Sequence, residues 1–245
     1  MNANQTQSDR RDLVRDHERL QSQYAEIASL AGGLAHEIRN PLSTMSLNLD
    51  LLKEDLAAGE SARERRMLQK VGALQKQCDQ LEQLLEDFLQ FVRVGSASPQ
   101  PLDLNALVTE FMDFYQPQAK DLGIEISPHL AANLPQVNID SRLFHQVLTN
   151  LARNAQEAMP RGGVLELQTY YRDGRVILDI IDTGDGMSPE TQAKMFNAFY
   201  STKKKGSGLG LPTVRRIVEA HHGTILCDSE VGQGTRFSIS LPPAS

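Results

Sequence analysis

Residues Val164–Met187 read VLELQTYYRDGRVILDIIDTGDGM. Apolar and polar side chains alternate over Val164–Tyr171 and again over Val176–Asp182, the period of a half-buried strand. Arg172-Asp-Gly-Arg175 lies between the runs, and Asp-Gly flanked by alternating strands is a hairpin signal. The second run ends in Asp182-Thr-Gly-Asp-Gly-Met187. Taken alone, a DxGxG sequence serves equally well as a tight turn. Upstream, Asp140 caps an expected helix that runs to about Met159 and is ended by Pro160-Arg-Gly-Gly163. Downstream, a helix over Leu211–His221 precedes strands Thr224–Asp228 and Thr235–Leu241. Before all of these come a helix over Leu102–Lys120 that follows a short strand and is capped by Asp103 or Asn105, and short strands at Gly123–Ser127 and Gln136–Ile139. Antiparallel runs of strands with helices between them predict an α+β sandwich.

The first third has a different texture. Leu30, Leu34, Ile38, Leu42, Met45, Leu49, Leu52 and Leu56 step by three or four residues, an apolar stripe along a helix. Ala57-Ala-Gly-Glu-Ser61 breaks it, and Ser61 with Glu64 fits a capping box for a second helix. That helix carries Leu68, Val71, Leu74, Cys78, Leu81, Leu85, Phe88 and Val92. Two such helices form an antiparallel hairpin, and pairing with a second copy into a four-helix bundle buries both stripes. Leu13, Leu20, Tyr24 and Ile27 extend the pattern upstream more weakly. The expected divisions are an N-terminal helical extension (1–21), the hairpin (22–94), a linker Gly95-Ser-Ala-Ser-Pro-Gln-Pro101, and the α/β unit (102–243).

Composition narrows the function. A formal charge of −6 over 245 residues argues against a general nucleic-acid surface. The 2 cysteines, Cys78 and Cys227, are far apart and read as reduced, buried thiols. No apolar run is long enough for a membrane span, and MNANQTQSDRR lacks the apolar core of a signal peptide, so a cytoplasmic chain is expected.

Three stretches bear on chemistry. In Phe199-Tyr-Ser-Thr-Lys-Lys-Lys-Gly-Ser-Gly-Leu-Gly-Leu211, alternating glycines free backbone N–H groups for an anion nest just before a helix, and three lysines suit a polyphosphate. Glycine spacing alone fits a surface loop as well. In Asn150-Leu-Ala-Arg-Asn-Ala155, the two asparagines lie one turn apart on one helix face. Their oxygens suit magnesium, although a solvated face reads the same way. Finally, Gly33-Leu-Ala-His-Glu-Ile-Arg-Asn-Pro-Leu-Ser43 places His36 about 160° from Leu34 and Ile38, away from the stripe, with Asn40 on its own face. Asn40 stands where a zinc-binding HExxH would need histidine, so that metal reading fails. Pro41 cannot donate to the Glu37 carbonyl and weakens the turn holding His36, Glu37 and Asn40.

In order and spacing these stretches resemble the H box, N box, glycine boxes and F box of bacterial two-component sensor histidine kinases. The form FYSTK resembles the nitrogen-regulation type. The resemblance spans residues 22–243 and implies a dimerisation and phosphoacceptor hairpin joined to an ATP-binding domain of the gyrase, chaperone and histidine-kinase fold. It makes His36 the phosphoacceptor, Glu37 its proton partner, and Asn40 the residue that orients a water if the chain also dephosphorylates its partner. It assigns Asp182 to the adenine amino group, Gly184 and Gly186 to the adenine pocket, and Thr235 to support of Asp182. Asn154 would coordinate magnesium and Asn150 contact the phosphates. Arg153 and Lys203 are expected phosphate contacts, Gly206, Gly208 and Gly210 the phosphate-side loop, and Met187–Gly206 a mobile lid. ATP and Mg2+ are the implied cofactors. Expected partners are a second copy of the chain, the receiver of a separate response regulator, and an upstream sensor protein or domain. A phosphatase or scaffold governed by ATP binding is the alternative within the family, and a plain ATPase clamp the alternative outside it. His221-His222 reads as a helix C-terminus, where cations are favoured.

Overall fold

The computed structural model describes residues 38–54, 56, 62–94, 97–203 and 206–244. The chain divides into two compact units, Met1–Gly95 and Ser96–Ser245.

In the first unit, residues 38–54 are helical (α1), and α2 spans Ala62–Arg93. The helix continues through Pro41. Two bonds set the pairing: Arg39 Nη2 donates to Glu86 Oε2 at 2.8 Å, and Gln75 Nε2 donates to Asp50 Oδ1 at 2.5 Å. Advancing from 39 to 50 on α1 retreats by the same eleven positions on α2, from 86 to 75, so the helices run antiparallel as expected. Glu64 lies in the first turn of α2, while Ser61, its capping-box partner, falls outside the described residues. Each apolar stripe splits in two. Leu42 on α1 and Val71, Cys78, Leu85 and Val92 on α2 are buried, whereas Ile38, Met45 and Leu52 on α1 and Met67, Leu74 and Leu81 on α2 stay exposed. Both sets on α2 repeat every seven residues, the spacing of a helix with two bundle seams.

The second unit is an α/β sandwich. Its elements are β1 (Gln100–Leu102), α3 (Leu104–Asp121), β2 (Ile124–Leu130), β3 (Val137–Ile139), α4 (Ser141–Ala158), β4 (Gly163–Arg172) and β5 (Arg175–Asp182). They continue with α5 (Pro189–Lys194), α6 (Gly210–Ala220), β6 (Thr224–Glu230) and β7 (Gly234–Leu241). Five strands form one sheet in the order β2-β4-β5-β7-β6, and β1 pairs with β3 alone. The β4–β5 turn is the two-residue type that the sequence predicts, with Asp173 and Gly174 both at positive φ (51° and 76°). Alternation then delivers Leu165, Leu167, Val176, Leu178, Ile180, Phe237 and Ile239 to the buried face. Against it pack Val147, Leu148 and Leu151 of α4 and Val214, Ile217 and Val218 of α6.

Two expectations need correction. Strand β2 joins β4 in parallel, not antiparallel. The route from β2 to β4 passes through α4, and a helical crossover is what parallel pairing requires. The second concerns His221. Helix α6 does end there, but the imidazole is buried and not cationic. Its Nδ1 lies 2.7 Å from the Ile217 carbonyl and donates to it, so the other ring nitrogen, Nε2, accepts from the Asp140 backbone N–H at 3.0 Å. Asp140 in turn caps α4 by accepting from Leu143 N–H, and takes the Ser98 N–H on its second oxygen at 3.0 Å. Burial pushes the His221 pKa down, against the raising effects of Ile217 and Asp140. The unfolded imidazole takes a proton near its ordinary value of about 6.5, whereas the folded one resists it. The unfolded state therefore binds more protons, and stability should fall as pH drops through about 6.5. Urea midpoints across pH 5–8 should show this slope in the wild type and a shallower one in His221→Gln.

Candidate functional site

Strand β5 carries Asp182 to the end of the sheet, where only 6% of it is exposed. Its Oδ1 accepts the Gly184 N–H at 2.9 Å, and the Thr235 backbone N–H across the β5–β7 ladder also bonds it. Burial raises the carboxyl's pKa, while these two N–H groups and the Lys203 charge pull it down. A buried carboxylate fixed by two donors and still carrying free lone pairs is suited to accept from an incoming N–H group.

The turn after Asp182 needs its glycines. At Gly184 a side chain would meet the Ala158 carbonyl of α4 at 2.7 Å. Gly186 has φ 65°, and a Cβ there would lie 2.0 Å from the Glu230 carbonyl. The Asp185 N–H donates to the Ala158 carbonyl at 3.0 Å, so the turn is packed between the end of α4 and the β6–β7 connection.

Along α4, the asparagine pair meets the second cluster. Asn150 is buried, and a Cβ placed on Gly210 at the start of α6 would come within van der Waals range of both Asn150 and Arg153. Lys203 Nζ donates to Asn154 Oδ1 at 3.4 Å and forms a close ion pair with Glu157. Gly208 has φ 69°, a Cβ there would lie 2.5 Å from the Phe199 carbonyl carbon, and its carbonyl accepts the Phe199 N–H at 3.0 Å. Phe199 is itself left-handed (φ 64°), which is costly for an aromatic residue and marks a constrained loop. A Cβ placed on Gly206 would collide with the Ser201 hydroxyl. Asn150, Arg153, Asn154, Lys203 and Gly210 thus form one cluster, and Asp182, Gly184, Gly186 and Thr235 another. The two are linked by α4, which from Asn150 to Ala158 advances about 12 Å.

The donor set bears on magnesium. Among the described residues no three His, Cys, Asp or Glu side chains come together to hold a metal. Amide oxygens at Asn150 and Asn154 suit a cation that keeps its waters and shares phosphate ligands, as magnesium does.

Several features were not legible beforehand. The segment after Met187 opens with helix α5, announced by Ser188 as N-cap and Pro189 in the first turn. The Thr235 hydroxyl bonds Ser229 Oγ at 3.0 Å. Glu157, the counter-charge of Lys203, lies one turn beyond Asn154. Cys227 is half-buried, and burial, then Asp228 and Asp182, push its thiol up to about 12, leaving it unreactive. Of the hairpin residues, Asn40 is exposed, and its carbonyl accepts the Thr44 hydroxyl at 3.0 Å. His36 and Glu37 lie outside the described residues.

Comparison with known proteins agrees with this layout. Residues 26–97 match the family described as His Kinase A (phospho-acceptor) domain. Residues 139–245 match that of histidine kinase-, DNA gyrase B- and HSP90-like ATPases. The chain is 31% identical over 232 residues to sensor histidine kinase ZraS of Escherichia coli K12, covering 95% of this chain and 49% of that protein. Full-length ShkA, solved in complex with AMPPNP, superposes with a TM-score of 0.69 at 32% identity, covering 89% of this chain and 46% of that one. The histidine kinase ThkA, solved with the response regulator TrrA, shares the fold at a TM-score of 0.65 and 22% identity, over 94% of this chain and 66% of that one. The chain therefore spans about half the length of the curated relatives it matches. Among the described residues, no helix is long and apolar enough to cross a membrane.

The glycine geometry predicts a contrast within one site. Gly186→Ala should displace the turn, lowering both the melting temperature and nucleotide affinity. Gly210→Ala meets only ordinary contacts beyond 3.5 Å and should keep the wild-type melting temperature. Thermal melts of the two variants check this.

Proposed function

This chain belongs to the bacterial two-component sensor histidine kinases, and we propose that it uses ATP bound on residues 102–243 to phosphorylate His36. It then passes the phosphoryl group to an aspartate of a separate response regulator. The observation that carries this reading is the buried Asp182 carboxylate, joined through α4 to the Asn150, Asn154 and Lys203 cluster. One end offers an acceptor for the adenine amino group, and the other offers amides and cations for the phosphates.

In the phosphorylation step, a neutral His36 ring nitrogen attacks the γ-phosphorus of ATP. An N–P bond forms, the bond to the ADP oxygen breaks, and Glu37 takes the proton from the other ring nitrogen. Histidine's ordinary pKa of about 6.5 leaves that nitrogen free near pH 7. Magnesium, held through Asn154, supplies charge neutralisation on the phosphates when bound. Arg153 and Lys203 add positive charge from the protein, and Lys203 must exchange Glu157 for phosphate to do so. An exposed ion pair is worth about 0–1 kcal/mol, so that exchange is inexpensive. In this reading Asn40, which is exposed on α1, orients a water when the regulator is dephosphorylated.

The exposed seams Ile38, Met45, Leu52 and Met67, Leu74, Leu81 support a homodimer. A second hairpin would cover them and complete a four-helix bundle. A cytoplasmic location fits this reading, because both ATP and receiver proteins are available there.

Incubation with Mg-ATP should give an acid-labile, base-stable protein phosphate. His36→Gln should carry none, and label persisting in that variant would refute the assignment. Asp182→Asn should abolish ATP binding, and unchanged affinity would count against the nucleotide site. Independently, Leu74→Glu combined with Leu81→Glu should convert the dimer to a monomer by light scattering.

A further inference from the structure

We propose that Ser229 and Gln192 are positioning residues for the nucleotide: together they hold Met187, where the lid leaves the β5 turn, and they orient the Thr235 hydroxyl. The inference rests on the nucleotide-site reading above, but neither residue belongs to the motifs that led to it.

The hydrogen bonds define the roles. Ser229 Oγ accepts the Met187 N–H at 2.9 Å and donates its one proton to the Gly234 carbonyl at 2.9 Å. With that proton committed, the contact to Thr235 Oγ1 at 3.0 Å must have Thr235 as donor. The lone pairs of the Thr235 hydroxyl are therefore left to face other groups, beside Asp182, whose carboxylate the Thr235 backbone N–H holds. Gln192 Nε2 spends its two N–H groups on the carbonyls of Met187 (3.0 Å) and Ser229 (2.7 Å). Both backbone polar groups of Met187 are thus taken by side chains, one from strand β6 and one from helix α5. Helix α5 is itself anchored, because the Ser188 hydroxyl accepts the Thr191 N–H at 3.2 Å.

The same turn is braced from two further sides. The Asp185 N–H bonds the Ala158 carbonyl, and its own carbonyl accepts the Gly232 N–H at 2.8 Å. The position of Met187 is consequently tied to the adenine end of the site and not to the phosphate cluster around Lys203. This placement makes a specific demand on ligand binding. Loss of the brace should weaken every ligand that uses the adenine end, with or without a γ-phosphate.

The test measures ATP and ADP dissociation constants by calorimetry, together with autophosphorylation kinetics and melting, on the full chain. Ser229→Ala should weaken ATP and ADP alike, by about five- to tenfold, the order expected for one lost hydrogen-bonding group. The KM for ATP should rise while kcat at saturation stays within about twofold. Gln192→Glu presents a carboxylate to two carbonyls and should act in the same direction. Ser229→Thr keeps the hydroxyl and should restore binding, which a merely structural defect would not permit. Lys203→Ala, on the phosphate side, should weaken ATP more than ADP. Wild-type affinity in both Ser229→Ala and Gln192→Glu would overturn the positioning role alone. So would a loss confined to ATP. A wild-type chain that binds neither nucleotide would overturn the nucleotide-site reading itself, and this inference with it. If Ser229→Ala melts early, Gln192→Glu decides the matter, since its side chain is anchored at the surface of α5.

Discussion

The buried carboxylate of Asp182 constrains most of the second unit. A carboxylate removed from water is unfavourable by several kcal/mol unless donors replace the lost hydration. Here the donors are backbone N–H groups of Gly184 and Thr235, so Asp182 depends on the turn that follows it and on the neighbouring strand. The turn must double back within two residues to present the Gly184 N–H, which brings its backbone onto Ala158 of α4. Strand β7 must reach Thr235 in register with Asp182, which brings Gly234 so close to the Asp182 carbonyl that a Cβ would lie 1.9 Å from it. Glycines at 184, 186 and 234 are thus consequences of where one acid is buried.

From that anchor the site extends in two directions. Helix α4 runs from the turn back to Asn154 and Asn150, and Lys203 reaches Asn154 from outside it, so the asparagine–lysine cluster and the Asp182 turn share one rigid element. Toward β6, the Ser229 hydroxyl joins Met187, Gly234 and Thr235. The far end of α4 is held by another chain of bonds, in which Asp140 caps the helix, accepts from Ser98 and donates to His221. The segment entering the unit and the end of α6 therefore meet at the N-terminus of the helix that carries Asn150 and Asn154. The hairpin follows simpler rules. One apolar seam is covered within the chain and the other stays exposed, which is the basis of the proposed pairing with a second copy.

Much of this was legible because the signals are local. Asp173-Gly174 specifies a two-residue turn by its positive φ values, and Asp103 and Asp140 cap helices whose first turns follow at once. Asn150 and Asn154 share a face by helical spacing alone. The reading of β2 as antiparallel failed because strand periodicity is the same in either direction, and only the path of the intervening helix decides pairing. The expected cationic His221 failed for a related reason. Its place at a helix end was visible, whereas its burial depends on Asp140, 81 positions away.

By itself the sequence determined the alternation of the strands, the heptad stripes of the hairpin, the caps, the turns, and the residue types of the nucleotide and histidine motifs. Each follows from steric or hydrogen-bonding rules that act within a few residues. Tertiary structure alone decided which apolar seam is covered, that β2 lies parallel to β4, that Asp182 is buried, and that Ser229 and Gln192, 37 positions apart, converge on Met187. Those outcomes depend on groups distant in the chain competing for the same buried volume and the same hydrogen-bonding partners, and no local pattern records which of them prevails.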